Sequence, residues 1–163
     1  MSFNLTGAFG GGNLTLNKAG LAAGTTTTIS IANQTDYAID GTVYRKAAAT
    51  NAATPTTDAN TGKAFVPLLP NQASIFVVLL DAAGNITVAQ GPVVSNADLT
   101  GGLAAAQFPG VKDGVTAVGY LLAQAGSTLS GSWTFGSSNL SSVTGMTYTF
   151  RDVLAIPAHP ITG

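Results

Sequence analysis

Side chains that could perform acid–base chemistry are scarce in this sequence. His, Glu and Asp do most of such work in enzymes, and the 163 residues contain one His, seven acidic residues that are all Asp, and no Glu. His159 stands between Pro157 and Pro160 close to the last residue, whereas a catalytic triad holds its His inside a formed pocket. Neither a Gly-x-Ser-x-Gly elbow nor a phosphate-binding Gly-rich loop with Lys occurs. We therefore predict no catalytic residues and no enzyme activity.

Metal and cofactor sites are equally poorly supplied. The sequence has no Cys, which removes thiolate metal sites and disulfides. Calcium prefers carboxylate and amide oxygens, and the local pairs of such groups are Asp36 with Asp40 and Asp81 with Asn85. Neither pair belongs to a loop that ends in the Glu of an EF-hand, and residues 81–85 suit a hairpin turn better. We predict no metal and no cofactor.

Trp133 and Tyr148, with Asp152 close by in the sequence, are the residues that could recognise a sugar. Stacking on a sugar requires aromatic rings that share an exposed face. Aromatic residues on strands belong to the core more often. A receptor- or carbohydrate-binding β-module, such as a fibre or adhesin head, is therefore the alternative function and not the favoured one.

The sequence is unusually poor in charge. Charged residues make up 8% of it, with a net charge of −1, against roughly 25% in an ordinary globular domain. Arg45 and Lys46 form the one adjacent pair of cations, and nucleic-acid binding by counterion release needs clusters of them. We expect no nucleic-acid partner, and we interpret the sparse charge as the surface of a protein that other subunits cover.

The arrangement of residue types predicts an all-β fold, because Thr, Val, Ile and aromatic residues fill the runs between Gly, Pro and Asn. Roughly eight to ten short strands in one domain favour a single β-sandwich or a jelly-roll-like barrel. The nearly continuous apolar run 74–80 predicts a central strand that is buried on both faces. The other predicted strands are residues 13–17, 25–31, 37–45, 86–89, 115–123, 132–135 and 147–151.

Three of these segments carry more detailed expectations. Residues 13–17 alternate strictly, as a half-buried strand does, and the run 37–45 would place Tyr37, Ile39 and Val43 on one side. Residues 81–85 predict a hairpin loop into the strand 86–89. A short helical turn from Asn96 is limited by Gly101 and Gly102, because each Gly costs a helix roughly 1 kcal/mol.

Composition divides the chain into an N-terminal arm (1–12), a β domain (13–155) and an extended C-terminal tail (156–163). Within the domain, residues 47–62 are rich in Ala, Thr and Asn without a periodic apolar face, which predicts a low-complexity loop. Extended ends can add a strand to the sheet of a neighbour. We therefore predict contacts with other subunits at the apolar residues of the two ends, which are Phe3, Leu5, Phe9, Ile156, Pro157 and Ile161.

The first residues do not resemble a signal peptide, since they lack a basic start and a continuous apolar stretch. The longest apolar run, 75–80, is far shorter than the ~20 residues of a membrane-spanning helix. We expect no membrane partner, and we expect synthesis in a cytoplasm.

Four segments, in this order, carry a resemblance to a known family. They are residues 94–99 (VSNADL), 108–120 (FPGVKDGVTAVGY), 133–140 (WTFGSSNL) and 147–153 (TYTFRDV). This order is similar to the head decoration (cement) or head-associated proteins of tailed bacteriophages, over roughly residues 37–157. The resemblance implies a β-rich subunit that oligomerises, as a trimer, on the outer surface of a shell built by the major capsid protein. It implies no catalytic residue.

The sequence thus predicts a non-enzymatic virion structural protein that decorates and stabilises a bacteriophage capsid. Its expected location is the capsid surface, after synthesis in the host cytoplasm. A small coat protein is a further alternative beside the receptor- or carbohydrate-binding module, although the lack of a basic arm argues against a coat that packages a genome.

Overall fold

Antiparallel strands form most of the regular structure in the computed structural model, which describes residues 12–102 and 105–156. The prediction of an all-β fold is confirmed. In chain order the elements are β1 (Leu14–Thr15), β2 (Leu21–Ala23), β3 (Ile29–Ile31), β4 (Thr35–Ile39), β5 (Thr42–Lys46), β6 (Ala49–Ala52), β7 (Gln72–Asp81), β8 (Ile86–Gln90), β9 (Val94–Ser95), α1 (Asn96–Thr100), β10 (Val115–Ala125) and β11 (Met146–Asp152).

The largest sheet has the strand order β11-β10-β7-β8, and β9 pairs with the start of β7. All of the eight interior residues of β7, 73–80, are buried. Side chains alternate between the two faces of a strand. Successive side chains of β7 therefore enter two different apolar clusters, with Phe76 in one and Val77 in the other. The prediction of a central strand buried on both faces is confirmed.

Two three-stranded sheets, β1-β4-β5 and β2-β3-β6, cover the first face of the large sheet. The core between them contains a group of aromatic rings around Phe76. The ring of Phe135 stacks on Phe76 at 5.0 Å, and Phe65 meets Phe135 edge-on at 5.1 Å. Tyr37 of β4 donates a hydrogen bond of 2.8 Å to the Asp81 carbonyl and thereby joins a small sheet to the end of β7. This arrangement is a β-sandwich, and the described strands do not close into a barrel.

Residues 96–102 and 105–111 cover the second face of the large sheet. Phe108 meets Tyr120 of β10 edge-on, with ring centroids 5.0 Å apart. Leu99 and Val111 pack against the same cluster. The helical turn predicted from Asn96 is thus α1, and it ends at Gly101.

Four predicted strands differ from the observed ones. Of residues 13–17, only Leu14–Thr15 form a strand. The run 37–45 is a hairpin, because Asp40 and Gly41 adopt φ values of 49° and 79°, as the two-residue turn that best fits strand twist requires. Residues 25–28 form a turn before β3. Residues 132–135 form only the isolated bridge of Trp133 with Leu68, whose two hydrogen bonds measure 2.7 and 2.9 Å.

The prediction of a loop over residues 47–62 is wrong for its first part. Residues 49–52 are β6, which pairs with β3. The free edge of β3 supplies the backbone hydrogen-bond partners for β6, and the local sequence pattern does not reveal them. The rest of the segment is held by a turn in which the Asp58 amide donates to the Lys63 carbonyl at 2.8 Å. The predicted hairpin 81–85 is confirmed, since the Asp81 carboxylate accepts bonds from the amides of Ala83 and Asn85.

Two glycines permit a matched test of how tightly the 47–62 segment is packed. Gly131 and Gly136 have φ values of 80° and 76°, a region that costs a residue with a Cβ about 1–2 kcal/mol. A Cβ at Gly131 would meet nothing within 4 Å, whereas one at Gly136 would collide with the Pro55 carbonyl. We expect Gly131→Ala to lower the free energy of unfolding by the conformational cost alone. Gly136→Ala should lose about 1–3 kcal/mol more, as measured by urea denaturation followed through Trp133 fluorescence. Equal losses would show that the segment does not pack on Gly136.

Candidate functional site

The outer face of the β1-β4-β5 sheet carries exposed apolar side chains. The register places Leu14, Ala38 and Val43 side by side in one row across the three strands. The next row, Thr15 with Tyr37 and Tyr44, faces inward, and Thr15 and Tyr37 are buried in the core. Because side chains alternate, the Leu14 row lies on the other side of the sheet from this core, where Ala38 at its centre is only 8% exposed. Val43 is 63% exposed.

Two more exposed leucines, Leu16 and Leu154, lie close to this row along the backbone. The Leu16 amide donates to the Asp36 carbonyl at 2.8 Å and so continues the alignment of β1 with β4. On the other side of β1, the Thr15 amide donates to the Leu154 carbonyl at 2.8 Å. Leu16 and Leu154 are each 51% exposed. We call the surface of Leu14, Leu16, Val43 and Leu154 the apolar face. Exposed apolar side chains grouped on and beside a rigid sheet indicate an interaction surface.

An ion pair beside the apolar face neutralises the charges nearest to it. The Arg45 guanidinium donates from Nε to Asp36 Oδ1 at 2.6 Å and from Nη2 to Oδ2 at 3.2 Å. These bonds hold the pKa of Asp36 below its ordinary value. A partner that docks on the apolar face would therefore meet a paired charge, which is cheaper to cover than an isolated one.

The predicted arm and tail join the domain next to this face. The Asn13 side chain donates to the Val115 carbonyl at 2.8 Å and accepts from the Asp40 amide at 2.9 Å. Asn13 and Ile156 line the same cavity, of about 210 Å³. The first described residues and the last thus lie side by side, and Leu154 of the apolar face is two residues from Ile156.

Ile156 is the predicted contact residue that the structure describes, and it is half-buried against the second core cluster. The other five predicted contacts, Phe3, Leu5, Phe9, Pro157 and Ile161, lie outside the described residues, as does His159. The apolar face is not among the sites predicted from the sequence. Strict alternation over residues 13–17 predicted a half-buried strand, but it does not say which side chains face the core. Thr15 is the inward residue, because its hydroxyl donates to the buried Ala117 carbonyl at 2.7 Å.

The aromatic residues considered for sugar binding do not share an exposed face. Trp133 is 1% exposed, and its indole N–H donates to the Asn139 carbonyl at 2.8 Å. The Tyr148 hydroxyl donates to the same carbonyl at 3.0 Å. Asp152 accepts a bond from the Leu21 amide at 2.9 Å. These groups are engaged within the domain, so Trp133 has no free ring face for a sugar.

Comparisons with known proteins give this chain no relative. No family model, no curated protein and no solved structure matches it. Within residues 12–102 and 105–156, no group of three or more His, Cys, Asp or Glu side chains is placed to hold a metal ion. The same residues include no helix with the length and apolar character needed to cross a membrane. The apolar face is the candidate site that the geometry provides.

Tyr148 gives the aromatic cluster a measurable pH dependence. Burial raises the pKa of Tyr148 from 10.0 to about 12, against a smaller opposing effect of the contact with Trp133. Between these values the unfolded chain releases the proton and the folded chain keeps it, so the free energy of unfolding should fall as the pH rises from 10 to 12. Tyr148→Phe should show a shallower fall over this range. It should also lose about 1 kcal/mol at pH 8 with the Asn139 bond. Urea titrations at pH 8 and above would measure both effects, and identical alkaline slopes would contradict the assignment.

Proposed function

We propose that this chain is a non-enzymatic virion protein that decorates and stabilises a bacteriophage capsid by binding the outer capsid lattice. The observation that carries this proposal is the apolar face beside the points where the predicted arm and tail join the domain. The four side chains of the face stand on or next to a hydrogen-bonded sheet. The family resemblance of residues 37–157 adds the identity of the partner, the major capsid protein.

A preformed docking surface suits this role. The β4–β5 hairpin is tied to the end of β7 by the Tyr37 hydroxyl and to the following turn by the Lys46 ammonium, which donates to the Gly84 carbonyl at 2.8 Å. Little conformational entropy is then lost when the face is covered, and binding strength depends on such preorganisation more than on area. The flanking Asp36–Arg45 pair can stay intact during docking.

The stabilising mechanism is mass action. A protein that binds the assembled lattice and not its free subunits stabilises the lattice by about 2.7 kcal/mol per site when its free concentration is 100 times Kd. The resemblance implies a trimer, and a trimer would present three copies of the face to the lattice, which raises avidity without new contacts. The sparse charge, 8% of the residues, leaves few groups to desolvate at such contacts.

Two matched pairs of substitutions test the apolar face. Val43 and Val66 are 63% and 57% exposed, and Leu16 and Leu69 are both 51% exposed. Val66 and Leu69 are not part of the apolar face. The Leu69 amide is hydrogen-bonded to Gln72 at the start of β7, whereas the sheet that carries the apolar face contacts the end of β7 at Asp81. In co-sedimentation with purified capsids of its own phage, Val43→Asp and Leu16→Asp should weaken binding about tenfold or more. Val66→Asp and Leu69→Asp should bind as the wild type does.

The outcomes of this assay separate the function from the face. A wild-type chain that does not sediment with capsids would overturn the decoration function. If the wild type binds capsids and both face variants bind them equally well, the decoration function would stand but the apolar face would not be the contact surface.

The arm has its own test. Deletion of residues 2–12 should weaken capsid binding through the loss of the apolar anchors Phe3, Leu5 and Phe9, while the urea midpoint of the β domain stays close to that of the full chain. Unchanged capsid occupancy would exclude the arm from the contact.

A further inference from the structure

The large sheet has one closed edge and one open edge. At the β8 edge, the Gln90 side chain accepts from the Val66 amide at 2.8 Å and donates to the Val66 carbonyl at 2.9 Å, in the way a neighbouring strand would. The Ala59 amide also donates to the Val88 carbonyl at 2.8 Å. The opposite edge is β11, seven residues long.

The ladder between β10 and β11 determines which backbone groups of β11 point outward. Its register is unbroken from the Gly119–Asp152 pair to the Ala125–Met146 pair. At its two ends, the Gly126 amide donates to the Gly145 carbonyl and the Val153 amide to the Val118 carbonyl. Because bonded and non-bonded pairs alternate in an antiparallel ladder, the odd-numbered residues of β11 bond to β10. The even-numbered residues, Met146, Tyr148, Phe150 and Asp152, direct their N–H and C=O groups to the open edge.

The centre of this edge has no backbone partner in the described part of the chain. The Met146 amide donates to the Val143 carbonyl at 3.1 Å, but no hydrogen bond from residues 12–102 or 105–156 reaches the outward groups of Tyr148 and Phe150. β11 also lacks the features that usually protect an edge strand, since it has no Pro, no bulge and no charge before Arg151.

We propose that β11 pairs with β11 of a second copy of this chain, antiparallel and around a two-fold axis at Thr149. In this register Tyr148 lies opposite Phe150 of the second copy, and Met146 lies opposite its Asp152. The Met146 amide keeps its bond to the Val143 carbonyl, and Tyr148 and Phe150 pair through all of their outward groups. Each of the four outward-directed residues thus lies opposite another one. A register shifted by one step in either direction leaves one of them unpaired in each copy.

The side chains of β11 are complementary to themselves in this register. Tyr148 and Phe150 form an aromatic pair on one face of the joined sheet, and the two Thr149 side chains meet on the other. Both are favourable cross-strand pairs. Thr147 faces Arg151 of the second copy, so no like charges stand opposite one another. The two central pairs would each exchange two backbone hydrogen bonds. This self-complementarity favours a second copy over an unrelated strand.

The contact is isologous and uses a surface other than the apolar face. It makes dimers if the copies have no other contact, and it joins trimers in pairs if the trimer implied by the resemblance also forms. In either case the assembly contains an even number of chains. The proposal does not depend on capsid binding.

Charges placed at two positions of β11 test both the pairing and its register. Thr147 is exposed. Thr147→Asp would place a carboxylate opposite Arg151 of the second copy, and Thr147→Lys would place an ammonium there. A charge of either sign at position 149 would face the same charge at position 149 of the second copy. Sedimentation equilibrium of the full chain at low salt should show an assembly with an even number of chains, which dissociates as the protein is diluted. Its Kd should fall about tenfold in Thr147→Asp and rise about tenfold in Thr147→Lys, because each change acts twice across the axis.

A charge swap and the Thr149 variants complete the design. Adding Arg151→Asp to Thr147→Lys should restore association, and Thr149→Asp and Thr149→Lys should both weaken it. A monomer at all concentrations, or an odd assembly without a doubled form, would overturn the proposal. The same would follow if both charges at Thr147 changed Kd in the same direction. Urea midpoints of the dissociated chains report whether each variant folds, and capsid co-sedimentation tests the proposed function separately.

Discussion

The burial of β7 on both of its faces is the constraint on which the rest of the structure depends. Its interior residues, 73–80, contribute large apolar side chains to two clusters, and each fully buried one is worth about 1.5–3 kcal/mol. A strand of this kind needs a cover on each side. The two small sheets supply one, and residues 96–102 and 105–111 supply the other. The order of the layers follows from this need.

The same constraint explains why so few charges suffice. The fold has no disulfide and, among the described residues, one ion pair, Asp36–Arg45. Turns are also held by short neutral side chains, such as Ser138, whose hydroxyl accepts from the Thr134 amide at 3.0 Å. Thr15 and Asn13 bond to carbonyls of β10 in a similar way. Neutral hydroxyls and amides thus join the layers at sites where an unpaired charge would be costly to bury.

The two interaction surfaces are consequences of this layering. The Thr15–Tyr37–Tyr44 row of the β1-β4-β5 sheet packs against the core, so the row of Leu14 and Val43 lies on the outer face of the sheet. The large sheet is closed at β8 by Gln90, whereas no equivalent side chain among residues 12–102 and 105–156 closes the β11 edge. A face that carries apolar side chains suits a heterologous partner of matching shape. An edge that presents backbone groups suits another strand.

The all-β class, the central strand of residues 74–80 and the hairpin at Asp81 could be predicted from the sequence, because continuous apolar runs and turn residues are local signals. The other features depend on residues that are far apart in the chain. Alternation over residues 13–17 shows that two faces differ, but the buried Ala117 carbonyl decided that Thr15 faces inward and the leucines outward. Similarly, residues 49–52 form a strand because they pair with β3, and residues 132–135 form only a bridge because Trp133 pairs with Leu68 alone. The apolar face and the open edge depend on such long-range partners, which no local pattern specifies.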